Sequence, residues 1–369
     1  MNKKIIAAAA LALVSGAALA DATLYGILDA SVNSTSNVKN TTPTPNTNST
    51  LNAMGDGAWL PSIWGIKGSE DLGAGMKASF QLESNLNITN GNSGDSSLPG
   101  APSGKLFDRW ATVGLSGSFG AVTAGEQLDP LFLQSFLNGV RLAHSASLAV
   151  NGQVAYGVVG GTQQTIANIF SSNMVTYKTP MFSNTTVQLG YQFGNTAGNN
   201  SASSGENILI NYAANGLAVN GGYEISNDST NVNKLKKGLI GANYAMGDWK
   251  FAGQWNSFKS DNGNELGGQT MVNSNGYELG ASYNITSNLT GFANYTWVND
   301  SVMNVTPTAL SLAMQYSFSK RTNVYAMVNR ADSKGVAGWN ALYETGGPVS
   351  AGNATSAQTG IAVGVQHTF

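Results

Sequence analysis

The sequence predicts an all-β protein, a 16-stranded antiparallel transmembrane β-barrel. Three observations carry this prediction: apolar and polar residues alternate along about sixteen segments, short and long connections alternate between them, and the chain ends on an aromatic residue of the last segment. Alternation with a period of two gives a strand one apolar and one polar face. Short turns at one end and long loops at the other are typical of a sheet whose ends face different compartments.

The first 20 residues are interpreted as a secretory signal peptide that is cleaved. Lys3 and Lys4 precede an apolar run that ends in the small-residue pattern "ALA". The alternative, a transmembrane helix, is disfavoured because the run is too short to span a bilayer. We therefore expect an exported chain with one domain, a barrel formed by residues 21–369.

Composition argues against several classes of protein. Charged residues make up 10% of the chain, against about 25% in an ordinary soluble domain. Loss of the two leader lysines takes the formal charge from −2 to −4, which argues against nucleic acid as a partner. The chain has no Cys, so an exported fold must be held by backbone pairing and packing.

Each predicted strand rests on the same alternation. In "MKASFQLES", for example, Phe80 and Leu82 alternate with Lys77, Gln81 and Glu83. To within about two residues at each end, the predicted strands are 22–33, 58–69, 75–87, 105–116, 120–128, 171–179, 185–194, 206–214, 217–226, 236–246, 248–259, 275–285, 288–299, 306–318, 321–331 and 357–369.

The connections follow the same regular plan. Tight turns such as "EDLGAG", "GSFG" and "NG" alternate with connections rich in Asn, Ser, Thr and Gly. The predicted long connections are 34–57, 88–104, 129–170, 195–205, 227–235, 260–274 and 332–356. The 300–305 connection is a short exception.

A soluble β-sandwich is the alternative fold, since it also buries one apolar face. Aromatic residues near strand ends favour a membrane barrel instead, because they suit interfacial girdles; these residues are Trp59, Trp64, Trp249, Trp297, Tyr223 and Tyr283. In lipid every backbone group must be paired, so the last strand is expected to pair with the first.

In a barrel this wide, one side-chain face of each strand meets lipid and the other meets the lumen. Trp64 and Phe80 are predicted to face lipid, whereas Lys77, Gln81 and Glu83 are predicted to face a lumen. With about sixteen strands the lumen is wide enough to hold water.

A barrel enzyme, such as an outer-membrane protease or phospholipase, is not expected. Such an enzyme would need a nucleophile and a base, and the mature chain has only His144 and His367 as histidines. His367 shares the apolar row of Phe369, and His144 has no recognisable Ser and Asp partners. A structural or adhesive barrel without a transport role stays open, because a fold does not fix a function.

Six stretches of the chain resemble the general trimeric porins of the Gram-negative outer membrane, most closely the betaproteobacterial type. They are "TLYGILDASV", "WGIKGSEDLGAGMKASFQLES", "LFDRWATVGLSGSFGAVTAGEQ", "SNMVTYKTPMF", "YSFSKRTNVYAMV" and the terminal "GVQHTF". The resemblance implies a homotrimer set in outer-membrane lipid and lipopolysaccharide. It also implies a third long loop, 129–170, that folds inward and narrows the pore, and a terminal Phe369 read by the barrel-assembly machinery.

The sequence departs from the resemblance at the pore constriction, which such porins line with basic residues facing acidic ones on the third loop. Ile63 and Phe170 stand where the family often has arginine, and only Arg109 is kept. By parity Ile63 shares a face with Lys67, and Phe170 shares one with Met174 and Thr176.

The third loop departs from the pattern as well. It has the single carboxylate Asp129, and it carries Arg141, His144 and many apolar residues. Arg109 is either a solute-contacting residue of the constriction or an ordinary hydrated wall charge. Lys67, Lys77, Asp29 and Glu83 are read as wall charges away from the narrowing. Glu126 suits a subunit contact as well as a pore role.

These observations predict an outer-membrane porin, a passive diffusion channel for small hydrophilic solutes and ions with no cofactor. Its constriction is expected to be weakly charged and partly apolar. The candidate residues are Arg109, Ile63, Phe170, Lys67, Arg141 and Asp129 for the pore, and Phe369 for assembly.

Overall fold

The barrel is closed and antiparallel, and it has sixteen strand positions. The computed structural model describes residues 22–39, 48–93, 105–139, 169–260, 273–302, 304–332, 334 and 357–369. Seventeen strand segments fill the sixteen positions: β1 Thr23–Lys39, β2 Asn48–Asp56, β3 Ile63–Gly73, β4 Met76–Asn85, β5 Trp110–Gly117, β6 Gly120–Leu128, β7 Phe170–Lys178, β8 Thr185–Gln192, β9 Gly205–Ala214, β10 Leu217–Asn227, β11 Lys234–Met246, β12 Trp249–Ser260, β13 Asn273–Asn284, β14 Leu289–Asp300, β15 Thr308–Ser317, β16 Thr322–Asp332 and β17 Gln358–Thr368. Within these described ranges there is one helix, α1, which spans Pro130–Asn138.

The ring closes through β1 and β17, as the sequence predicts. Residues from Ile27 to Thr35 pair with residues from Thr368 back to Gly360. Each later strand from β3 onward pairs with the next one along the chain. Closure removes both sheet edges, which lipid would not tolerate.

The second strand position is interrupted, which the sequence did not predict. β2 pairs with the later part of β1, and β3 pairs with its first residues. Residues 57–62 between them have no strand structure. The predicted strand 58–69 therefore begins too early, and the predicted loop 34–57 is largely a hairpin extension of β1 and β2.

Two rows of side chains alternate along the strands. On β17, Ile361, Val363 and Val365 are 45–57% exposed, whereas Ala362 and Gln366 of the alternate row are buried. The exposed apolar rows form the outer, lipid-facing surface. Phe80 pairs with the exposed Val113 on that surface, and Leu189 is 46% exposed, so the predicted facing of both is confirmed.

Aromatic residues lie on the outer face near the short turns. Trp249 and Tyr283 are opposite each other on β12 and β13, both exposed, with ring centroids 4.6 Å apart. This position agrees with the predicted girdle. The prediction is wrong for Trp59, which is 2% exposed and packs inside the barrel.

Two further boundaries differ from the sequence-based prediction. Residues 105–109 of the predicted strand 105–116 are irregular, and β5 begins at Trp110. The described residues leave out part of the predicted connections 34–57, 88–104, 129–170, 260–274 and 332–356. No helix within the described ranges is long and apolar enough to cross a membrane.

Candidate pore-lining site

Helix α1 packs on the polar face of the sheet, which identifies that face as the inside of the barrel. Leu131 of α1 contacts Leu209 of β9 and Leu239 of β11, and all three are buried. Leu209 lies between Ile208 and Ile210 of the exposed outer row, so its own side chain points inward. The start of the third loop therefore occupies lumen space.

Amide groups hold the C-terminal end of α1 against the wall. Asn138 donates to Asn220 Oδ1 at 2.9 Å and to Gln254 Oε1 at 3.4 Å. Gln134 reaches Asn138 Oδ1 at 2.9 Å from one turn earlier. Residues 140–168, which make up most of the predicted loop 129–170, lie outside the described part of the chain, and Arg141 and His144 lie there with them.

Asp129 holds the N-terminal end of α1. Its Oδ1 accepts a hydrogen bond from Phe132 N at 2.9 Å, the usual contact of an N-cap residue, and Pro130 follows at the first helical position. Its Oδ2 lies 3.5 Å from Lys237 Nζ, which in turn lies 2.6 Å from Glu224 Oε1. The single carboxylate of the predicted loop is thus part of a buried anchor.

Arg109 is paired with a wall carboxylate. Its Nε donates to Glu83 Oε1 at 2.6 Å, and Nη1 donates to Asn85 Oδ1 at 3.1 Å. The two charged side chains are 14% and 6% exposed. Tyr25 Oη donates to the second oxygen of Glu83 at 2.8 Å, so neither oxygen of this carboxylate lacks a partner.

Lys67 lies beside the same group of residues. Its Nζ is 4.8 Å from the centroid of the Tyr25 ring, within the range of a cation–π contact. Gln81 Nε2 donates to Tyr25 Oη at 2.8 Å. Lys67 itself is exposed, so its charge, unlike that of Arg109, is open to water.

Ile63 lies on the inner face, as parity predicts. It is opposite Asn85 on β4 and Ile27 on β1, in the row that continues to Glu83 and Asp29. Its side chain is 9% exposed. An apolar residue therefore stands on the wall two positions from Gly65, the partner of the ion-paired Glu83.

A bulge separates Phe170 from Met174, so the facing of Phe170 has to be judged from its contacts. The register of β6 and β7 shifts between Gly125 and Gln127, and Asn173 on β7 has a φ of 55°. Such a bulge breaks the two-residue period, so parity with Met174 no longer predicts the facing of Phe170. The Phe170 ring lies 5.8 Å from the guanidinium carbon of Arg109, in a buried cluster that packs against Phe132 and Leu133 of α1.

The carboxylate of Glu126 is paired with two nearby side chains of the same chain. Lys105 Nζ lies 2.9 Å from Glu126 Oε1, and Ser172 Oγ donates to Oε2 of the same side chain. Glu126 is thus paired within its own chain, and a subunit contact and a pore role both stay predictions for it.

Sequence reasoning missed Glu224 and Lys237 as functional residues. They are directly opposite each other on β10 and β11. This pairing depends on the register of the two strands, which the connection between them does not fix from sequence alone. The available signal was the position of Glu224 on the polar row of "LAVNGGYEIS".

A sixteen-stranded barrel with a polar lumen and an inward helix defines a pore-forming membrane protein. The model of the Gram-negative porin family matches residues 7–336. An outer membrane porin protein of Bordetella pertussis is 30% identical, covering 88% of this chain and 93% of that protein. Outer membrane porin protein 32 of Delftia acidovorans is 29% identical over the whole of both chains.

Solved structures agree with this assignment. An anion-selective porin from Comamonas acidovorans matches with a TM-score of 0.76 and 25% identity, covering 95% of this chain and all of that one. The trimer form of OmpT from Vibrio cholerae matches with a TM-score of 0.64 at 14% identity, which supports the fold. The chain belongs to the Gram-negative porin family, whose members are outer-membrane channels and not enzymes.

Proposed function

We propose that this porin is a passive diffusion channel for small hydrophilic solutes, with a weakly charged and partly apolar constriction. The observation that carries the proposal is the pairing of two inner-wall cations: Arg109 with Glu83, and Lys237 with Glu224 and Asp129. A paired charge projects a weaker field on a passing ion than an isolated one.

Apolar side chains support the same proposal. Ile63 lies on the inner face, and Phe170 lies beside Arg109. If both positions held arginine, the wall would carry two cations in addition to Arg109, which is paired with Glu83. We infer better passage of neutral or partly apolar solutes than through an arginine-lined relative.

The related porin of Comamonas acidovorans is described as anion-selective. A weakly charged constriction would make the present channel measurably less selective than that. Planar-bilayer recordings in a salt gradient measure the reversal potential, and hence the preference between anions and cations. The proposal requires a reversal potential near zero. It also requires that discrete channel openings be seen, which a purely structural or adhesive barrel would not give.

Assembly is proposed to follow the family. The working unit is a homotrimer in outer-membrane lipid and lipopolysaccharide, and Phe369 is the residue that the barrel-assembly machinery reads. Two observations support a special role for Phe369: its backbone pairs with Gly26 in both directions, and its ring covers the position that a Cβ on Gly26 would take.

A further inference from the structure

The chain leaves the barrel wall between β2 and β3 and turns inward. These residues, Gly57–Ser62, are called the inner segment. Gly57 has a φ of 75°, a conformation that favours glycine, and its N donates to Asp29 O at 3.1 Å. Ala58 and Trp59 are 0% and 2% exposed, so the segment is packed against other residues on the lumen side of the wall.

Trp59 packs on the inner face of β14 to β17. Its ring lies 5.2 Å from that of Tyr325 and 5.4 Å from that of Phe292 in an edge-on arrangement. Ala313 and Ala362 belong to the same buried cluster, and their small side chains leave room for the indole. Exposed apolar residues flank each alanine along its strand, so both alanines point into the barrel.

Asp29 fastens the inner segment to this wall. Its Oδ2 accepts from Leu60 N at 2.9 Å, and its Oδ1 accepts from the Tyr325 hydroxyl. The backbone N of Asp29 donates to Ser62 Oγ at 2.9 Å. Asp29 itself is fully buried, so it acts as a clamp with hydrogen bonds to both sides.

The strand pairing of the closed wall does not involve the inner segment. A barrel of sixteen strands pairs its backbone within the wall and normally leaves an aqueous channel. Filling part of that channel with an indole ring reduces its cross-section. Helix α1 does the same on a separate arc of the wall, through contacts with β9, β11 and their neighbours.

We propose that the inner segment is a second constriction element and that Trp59, clamped through Asp29, limits the size of solute that passes. This inference rests on the proposed channel function and adds a size-determining residue to it. Passage then runs between two inward elements, α1 and the inner segment.

The test compares Trp59→Ala with Trp249→Ala in single-channel recordings and in swelling of liposomes with neutral sugars of increasing size. Trp249 is the matched control because it is 43% exposed on the outer face, stacked on Phe251. We expect Trp59→Ala to raise conductance by roughly 1.3-fold or more and to admit larger sugars, because pore diameter sets both. Trp249→Ala should leave both unchanged.

Trp59→Leu keeps an apolar side chain at the clamp and carries the test if Trp59→Ala yields no trimers. Its expected conductance lies between those of the wild type and Trp59→Ala. Wild-type conductance and sugar cut-off in folded trimers of either variant would overturn the inference while leaving the channel function intact. Wild-type protein that never opens would instead overturn the channel function and the inference together.

Discussion

Arg109 lies against Glu83, with its Nε 2.6 Å from Oε1 of the carboxylate, and both side chains are largely buried in the wall. Of the three positions where the resemblance implies arginine, only that of Arg109 has one, and the structure shows it charge-paired. The wall around it therefore has less net positive charge than its arginine suggests.

Neutralising Glu83 should reveal the charge of Arg109. Glu83→Gln keeps the shape and one acceptor oxygen for Arg109 but removes the negative charge and the acceptor for Tyr25, so we expect the reversal potential to move towards anion preference, most clearly in dilute salt. Glu70→Gln is the control, because Glu70 lies exposed on the opposite face of β3. Equal shifts in the two variants would contradict the assignment.

Adding a cation at Ile63 should also move the reversal potential towards anion preference. A unit charge about 10 Å from a passing ion in water interacts by about 0.4 kcal/mol, which stabilises an anion and destabilises a cation, so Ile63→Arg should raise the anion-to-cation permeability ratio by about fourfold. Ile63→Gln separates the effect of charge from that of polarity. An unchanged reversal potential in normal Ile63→Arg trimers would mean that Ile63 lies away from the constriction.

The anchor of α1 should be sensitive to loss of its lysine. Lys237→Met leaves Asp129 and Glu224 buried without a cation, which costs about 3–5 kcal/mol in comparable buried pairs. We expect a lower temperature for trimer dissociation on a heat-modifiability gel and noisier open-channel current. In the control Lys334→Met, the lost pair with Asp332 is exposed, and such pairs contribute about 1 kcal/mol or less.

If Lys237→Met trimers keep both the dissociation temperature and the quiet current of the wild type, the buried triad does not hold α1 in place. A loss of stability with unchanged current noise would assign the triad to the wall alone.

The terminal residue should matter for assembly more than for conduction. Deleting Phe369, or changing it to Asp, removes the ring that lies over Gly26 at the β1–β17 closure. We expect a lower yield of outer-membrane trimers and unchanged conductance of the pores that remain. Phe318→Asp is the control, since Phe318 is 66% exposed but does not end the chain. Normal trimer levels in the Phe369 variants would refute the assembly role.

The strands of this fold can be predicted well from local pattern, because the alternating apolar residues of each strand indicate which face meets lipid. The predicted strand 236–246 corresponds to β11, and 357–369 corresponds to β17. The same pattern correctly placed Ile63 on the inner face.

Features that depend on distant contacts could not be predicted in this way. Trp59 reads as a girdle residue from its position, and only its packing on Tyr325 and Phe292 shows that it points inward. The bulge at Asn173 ends the two-residue period before Phe170. The contact of Asp129 with Lys237 joins residues 108 positions apart, which no local pattern records.

The reversal potential of the wild-type trimer across a gradient of KCl tests the central claim most directly, because it reports the net charge that passing ions meet in the constriction. Charge pairing at Arg109 and Lys237, with Ile63 and Phe170 in place of arginines, predicts a value close to zero that changes little as the salt is diluted. A strongly anion-selective wild type, with a preference that grows in dilute salt, would contradict the account.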